Sequence, residues 1–445
     1  MRERRAATGG PEHLCTRSVV PMSRSRSVLL AAVLTSVLSA GCTMDPTEPA
    51  PTSTDASAAT TEPGQTHAPA SSAATSTSAP TSSAPASASA PTSGAPGCVE
   101  QVAEELTPGQ RAGQLVMVAL QVGSAPSSLA PVVQDGHVGN ILYLGGWTGS
   151  IQDIAAASAT VQALATRDAT GGIGLLVAAD QEGGEVQQLR GPGFSTIPTA
   201  LVQATLGAEE LTREATVWGE QLVAAGINLN LAPVADVVPA ELGTSNGPVG
   251  RWGREYGHDP QTVAAGIVPF IHGMQQAGVA TSVKHFPGIG RITGNPDFTT
   301  DGLVDDVLTA DDPYLDAFSA GIEAGASTVM VSSALYPRID PDHPAMFSPA
   351  IIDGLLRRQL GYDGVVISDD VNAAAVRGLT GVRPATDLVA AGGDVVLTGD
   401  TASGARMVEQ VADLARTDPA FAAKVDASLL RVLELKDSLG LLPCS

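Results

Sequence analysis

Lys284 and His285 close the apolar run VATSVKHFP (279–287), and the chain then enters a glycine-rich loop, GIGRITGNPDFTT (288–300). A cation and an imidazole placed where a buried run meets such a loop suit the gripping of a polar ligand. Passing a proton to that ligand needs a titrating group. The loop offers one carboxylate, Asp297, and no histidine after His285. Further along, GVVISDD (364–370) ends in two adjacent carboxylates, Asp369 and Asp370. A helix N-cap accounts for one of the two aspartates more readily than for both. Asp180 ends a third run, GIGLLVAAD (172–180), where a carboxylate can accept two hydrogen bonds at once.

These residues need a frame. Seven short runs rich in Val, Ile and Leu recur, adding VGNILYL (138–144), INLNLAPVADV (227–237), STVMVSSALYP (327–337) and GGDVVLTGD (392–400) to the three above. Continuous apolar strands imply a sheet buried on both faces, which means parallel strands with helical crossovers. The helices between are legible: LTREATVWGEQLVAAG ends at Gly226 and PQTVAAGIVPFIHGMQQAG at Gly278. SPAIIDGLLRRQLG has Ser348 as N-cap, Pro349 in the first turn and Gly361 at its end. Repeated units of this length predict an α/β fold, a TIM-like (β/α)8 barrel forming one catalytic domain. Polar residues arrive at the C-terminal ends of the runs: Asp180, Asp236, Lys284-His285, Ser332-Ser333, Asp369-Asp370 and Asp400. In such a barrel those ends build the site.

The rest of the 445 residues is of another kind. Residues 43–97 are almost wholly Ala, Ser, Thr and Pro, which bury too little apolar surface to offset chain entropy, so a disordered linker is expected before a domain at 98–445. About 55 flexible residues reach roughly 40 Å. Met22 onward reads MSRSRSVLLAAVLTSVLSAGC, two arginines and a short apolar run ending in LSAGC. Residues 1–42 are read as a signal peptide with an upstream extension before Met22. LSAGC resembles the bacterial lipobox, whose cysteine, here Cys42, becomes the lipidated first residue. The expected location is the outer face of the cell membrane, through that anchor alone. Cys98 and Cys444 remain at the two ends of the folded part, and export favours a disulfide between them. Two cysteines and scattered histidines make no metal-ligand spacing, so no metal is expected. The net charge of −22 argues against nucleic acid as a partner. A monomer is the default expectation.

Several segments carry a resemblance: DQEGGEVQQLR (180–190), INLNLAPVADV, GRWGREYGHDP (250–260), KHFPGIG (284–290) and GVVISDD. In order and spacing, across most of residues 100–440, they resemble glycoside hydrolase family 3, and within it the single-domain β-N-acetylglucosaminidases of the NagZ type. The resemblance implies a TIM-like barrel, no cofactor, and retaining hydrolysis that removes terminal β-linked N-acetylglucosamine from cell-wall glycans. The chain's end at Ser445 leaves out the second domain of many family β-glucosidases, an expectation that favours the hexosaminidase branch. By resemblance Asp369 is the nucleophile and Asp180 holds sugar hydroxyls. Arg254, Lys284 and His285 bind substrate, with Lys284 near enough to Asp369 to keep it ionised.

The likeness breaks around one place. The family's hexosaminidases usually read KHFPGHG followed by an Asp-x-His pair that serves as acid and base. Here the second histidine is Ile289, and Asp297-Phe298-Thr299 stands for the pair, with Thr299 in place of the histidine. Ser333 stands where the family often has another histidine, and Glu185 and Gln188 replace arginines. A threonine hydroxyl does not exchange a proton near neutral pH. Three accounts stay open: Asp297 is itself the acid/base, its pKa raised under a closed loop; His343 reaches in from RIDPDHPAMFSP; or the step is unassisted and the protein is slow, phosphorolytic or a non-catalytic glycan binder. The first is preferred.

Overall fold

Eight parallel strands follow one another around a closed barrel: β1 Val116–Gln121, β2 Asn140–Leu144, β3 Leu176–Ala179, β4 Leu229–Asn230, β5 Ala280–Phe286, β6 Thr328–Val331, β7 Val365–Ser368 and β8 Val396–Thr398. Each pairs in parallel with the next, as in Val118↔Ile141 and Val329↔Val366. The ring closes where β8 meets β1 at Val116↔Val396 and where Ile367 bridges Val395. The computed structural model describes residues 97–444; the signal segment, Cys42 and the linker as far as residue 96 lie outside the described residues.

The apolar runs become strands because both of their faces are covered. Every residue of β3, β5, β6 and β7 is buried, and the β-branched side chains fit a pleated surface packed on both sides. Crossover helices supply the outer layer, among them Ala208–Ala224 and Pro260–Gln276. The second is capped by Asp259, whose side chain accepts from the Thr262 N–H, and opens on Pro260. Among the described residues no helix is long and apolar enough to cross a membrane.

Two readings need correction. The sequence yielded seven strands; the eighth, VMVALQ at 116–121, follows the helix Pro108–Gly113 with no Gly or Pro turn signal between strand and helix beyond Gly113 itself. Periodicity alone cannot separate a short apolar strand from the continuation of a helix. The helix expected from Ser348 runs over Ala350–Gln359 with wide turns, the Gly354 N–H donating to Pro349 O and the Leu360 N–H to Leu355 O. Ser348 still accepts from the Ile351 N–H at 3.2 Å, and it also donates to Asp340 at 2.6 Å.

Cys98 and Cys444 form a disulfide, their Cα atoms 6.1 Å apart across a sequence separation of 346. It ties the helix Cys98–Glu105 to the segment after the last helix, where Val102, Ala103 and Leu106 pack with Leu429, Leu433 and Leu442. Closing so long a loop stabilises by about 6 kcal/mol in the chain-entropy account.

Candidate active site

The C-terminal ends of the strands converge on a cavity of about 470 Å³. Asp180, Arg254, Lys284, His285, Asp297 and Asp369 all line it. Residues scattered over nearly two hundred positions meet because every parallel strand ends on the same rim.

Adjacent residues on a strand normally face opposite ways. Lys284 and His285 both reach the cavity because the pairing of β5 with β6 shifts register between Lys284 and Phe286. The loop that follows needs two of its glycines. Gly288 has φ 129°, and a Cβ on Gly290 would lie 1.9 Å from the carbonyl oxygen of Val237.

The cavity floor is an interlocked set of charges. Lys284 Nζ lies 2.5 Å from Asp180 Oδ1 and 2.6 Å from Glu182 Oε1. Arg254 forks onto Glu182 through Nε at 2.8 Å and Nη2 at 2.7 Å, and its Nη1 donates to Pro248 O. Burial by itself would raise the Glu182 carboxyl; the Arg254 guanidinium and the Lys284 ammonium outweigh it and hold the pKa down at about 2. Burial would likewise lower Lys284, but Asp180 and Glu182 keep it above its ordinary value. Glu182 was not singled out from the sequence, although Asp180 and Glu182 at i and i+2 share a face. Lys284 shares the cavity with Asp369, as the resemblance implied, but its ion pairs go to Asp180 and Glu182. Arg254 pairs with neither Glu255 nor Asp259 but with Glu182.

Glu182→Gln leaves two buried cations short of an anion, a change that typically costs 3–5 kcal/mol. The wild-type carboxylate, held below its unfolded value near 4.5, contributes fully above that pH and loses its contribution as the pH falls towards about 2. Urea unfolding of both proteins is expected to show a stability gap of roughly 3 kcal/mol at pH 7 that shrinks below pH 4.5. A gap that stays constant with pH would contradict this account.

His285 is fixed by Asp236, which is fully buried. Asp236 Oδ2 accepts from Nδ1 at 2.7 Å, and its two oxygens also take the N–H groups of His285 and of Ile289. A carboxylate takes the Nδ1 proton, and a guanidinium can only donate, so Nε2 offers its lone pair to Arg254 Nη2 at 3.4 Å. Ile289, where a second histidine was expected, is buried and serves through its backbone.

Above this floor stand three carboxylates. The Asp369 N–H donates to Val331 O, and its Oδ1 accepts the Asp370 N–H at 2.8 Å. Asp370 is tied to the backbone: its Oδ1 accepts from the Asn372 N–H at 2.7 Å and the Gly399 N–H at 2.8 Å. Asp297 stands on the rim. The residue is exposed as a whole, but the protein packed around its carboxyl at the cavity lining strips away part of its water, and that desolvation, and next the negative charge of Asp369, push its pKa up to about 6. The three groups therefore divide: Asp370 is a structural anchor, Asp369 has no partner on its second oxygen among the described residues, and Asp297 holds a proton at mildly acid pH.

The loop bearing Asp297 is latched to the segment after Asp369. The Ala374 N–H donates to Asp297 O at 3.3 Å and the Ala375 N–H to Pro296 O at 3.0 Å. Ala374 is the first residue of a one-turn helix, and Ala373 before it is extended, φ −61° and ψ 155°. Both conformations accept proline at 374, which removes one latch donor without opposing the local fold. Ala374→Pro is expected to lower kcat by about 2–10-fold, the worth of one such bond, with thermal stability nearly unchanged. An unaltered kcat would show that the latch does not position the carboxylate.

The other sequence candidates fall elsewhere. His343 is more than half exposed, bonds Asp340 at 3.2 Å and does not line the cavity, so the structure does not bring it to the other candidates. The Thr299 hydroxyl accepts from the Asp301 N–H. The Ser333 hydroxyl is buried without a partner among the described residues. Gln188 lines the cavity and accepts the N–H groups of Gly145 and Gly146, both at 2.9 Å. The Glu185 carbonyl accepts from Arg190. Asp400 caps a turn at Ala402, away from the cavity.

Residues 109–435 match the family model described as the glycosyl hydrolase family 3 N terminal domain. A beta-hexosaminidase of Stenotrophomonas maltophilia (strain K279a) is 38% identical over 258 residues, 56% of this chain and 72% of the relative. The crystal structure of a beta-N-acetylhexosaminidase from Beutenbergia cavernae DSM 12333 superposes with a TM-score of 0.73 at 49% identity, covering 75% of this chain and 99% of that one. A family 3 beta-N-acetylglucosaminidase from Paenibacillus sp. str. FPU-7 superposes with a TM-score of 0.66 at 29% identity, covering 76% of this chain and 63% of that one.

Proposed function

Because the chain belongs to glycosyl hydrolase family 3, we propose that it is a retaining glycoside hydrolase that removes terminal β-linked N-acetylglucosamine from peptidoglycan-derived glycans. The observation that carries this reading is the pairing, in one cavity, of Asp369 with Asp297, whose carboxyl keeps a proton up to about pH 6. Asp369 attacks the anomeric carbon as Asp297 gives its proton to the glycosidic oxygen, and the leaving group departs as an alcohol. The covalent glycosyl-aspartate is then opened by water, whose proton Asp297 takes back. Asp180 accepts from sugar hydroxyls with the lone pairs that Lys284 leaves free, and Lys284, Arg254 and His285 hold that carboxylate and its surroundings in place.

The test is hydrolysis of an activated aryl β-N-acetylglucosaminide by residues 98–445, with the anomer of the first product read by NMR. The β-anomer supports the retaining mechanism; the α-anomer excludes it. Saturable sugar binding without turnover would overturn the enzymatic reading.

The same reading takes the protein to be an exported monomer, anchored through lipidated Cys42 on the outer face of the membrane. Support comes from the signal-like residues 22–42 and from a disulfide that suits an oxidising compartment. Labelled palmitate should enter the wild type and not Cys42→Ala.

A further inference from the structure

Two of the cations in the cavity are spoken for. Arg254 and Lys284 are both neutralised by Glu182, with Asp180 adding a second carboxylate to Lys284. Arg377 also lines the cavity, yet its side chain forms no hydrogen bond or ion pair among the described residues. Its charge acts on the site only from a distance, drawing the Asp370 carboxyl down against the effect of burial.

Its position says which part of a substrate it would meet. Arg377 ends the turn Ala374–Arg377, and the first two N–H groups of that turn hold the carbonyls of Asp297 and Pro296. The proton from Asp297 goes to the oxygen that joins the departing group to the sugar. What flanks Asp297 on the open side of the cavity therefore faces the departing group. Those flanking residues are Asn295, Pro296, Phe298 and Arg377, all of which line the cavity. Phe298 is 80% exposed and lines the cavity, so its ring is open to whatever enters there. An aromatic ring and a guanidinium lining one cavity suit a ligand that has both an apolar surface and an anionic substituent.

The overall charge strengthens the argument. A chain of net charge −22, with Asp180, Asp297, Asp369 and Asp370 in one cavity, repels an anionic substrate unless a local cation offsets the field. We propose that Arg377 and Phe298 form a leaving-group subsite selective for an aglycone that carries a carboxylate. The proposal rests on the hydrolase reading above and extends it to the substrate's second half. The guanidinium takes the carboxylate through paired N–H donors, and the Phe298 ring lies against the apolar part of the same unit.

The carboxylate could be an acidic ether on the sugar itself or the terminus of an attached peptide, and four substrates separate these. They are the N-acetylglucosaminyl-β-1,4-N-acetylmuramic acid disaccharide, its methyl ester, the same disaccharide amidated with L-alanine, and the aryl glycoside. In the wild type kcat/KM is expected to be about tenfold higher for the acid than for the ester, the scale of a charge-assisted hydrogen bond at a partly open site. Arg377→Gln should bring that ratio close to one, and Arg377→Lys should restore part of it. Added salt should shrink the wild-type ratio and leave the Gln variant's ratio unmoved. If the alanyl substrate keeps the preference, the site reads a peptide carboxylate; if it loses it, the ether acid is read. Equal kcat/KM for acid and ester in the wild type, or a ratio unchanged in Arg377→Gln, overturns the subsite while the hydrolase stands. A wild type silent on all four substrates, the aryl glycoside included, overturns the hydrolase reading and the subsite with it.

Discussion

Asp369→Asn is expected to lower kcat on the aryl glycoside by at least about 10⁴-fold, because the amide cannot attack the anomeric carbon and no second group takes over. Asp370 is the nearest substitute, but its Oδ1 is held by two backbone N–H groups and its place is set by Gly399. The variant should fold normally. Asp369 accepts the Asp370 N–H through one oxygen, and the Asn amide oxygen can accept the same bond. Mass spectrometry of protein quenched during turnover should find a glycosyl adduct on the wild type and none on the variant. A variant that keeps a tenth of the activity would remove Asp369 from the nucleophile's role. The same substitution carries a second prediction within it. With the charge of Asp369 gone, Asp297 loses one of the three causes that raise its pKa, so its titration should move down from about 6. Carboxyl NMR of the variant measures that directly.

Asp297→Asn is expected to cost about 10²–10⁴ in kcat for a glycoside with a poor leaving group, the usual worth of acid/base help. The loss should be smaller in the first step for an activated aryl group, which departs without protonation. Azide should restore turnover and give the β-glycosyl azide, since a small anion needs no base to open the intermediate. The pH profile gives an independent reading. Asp297 must carry its proton to act as acid, so wild-type kcat/KM on the poor substrate should fall as pH rises through about 6. That alkaline limb should vanish in the Asn variant. Should the limb persist there, the proton comes from elsewhere and the loop carboxylate is only a neighbour. Threonine at position 299 has no part in either outcome: its hydroxyl is engaged with the Asp301 N–H.

The sequence determined the class of fold, because apolar runs of strand length separated by helical stretches have few ways to bury both faces. It also placed the chemistry on the rim: Asp180, Lys284, His285 and Asp369 could be named from their position at the ends of such runs. Strand β1 escaped because helix and strand look alike over five apolar residues that follow a helix after only a two-residue turn. The pairings were beyond its reach. That Lys284 serves Asp180 and Glu182 and leaves Asp369 alone depends on how β3 and β5 are spaced around the ring, a separation of about a hundred positions in the chain. His343 and Asp297 were rivals as proton carriers by composition alone. Only the tertiary structure leaves His343 exposed against Asp340 and latches the loop of Asp297 beside Asp369, because a side chain's proton affinity is set by what surrounds it and which charge faces it.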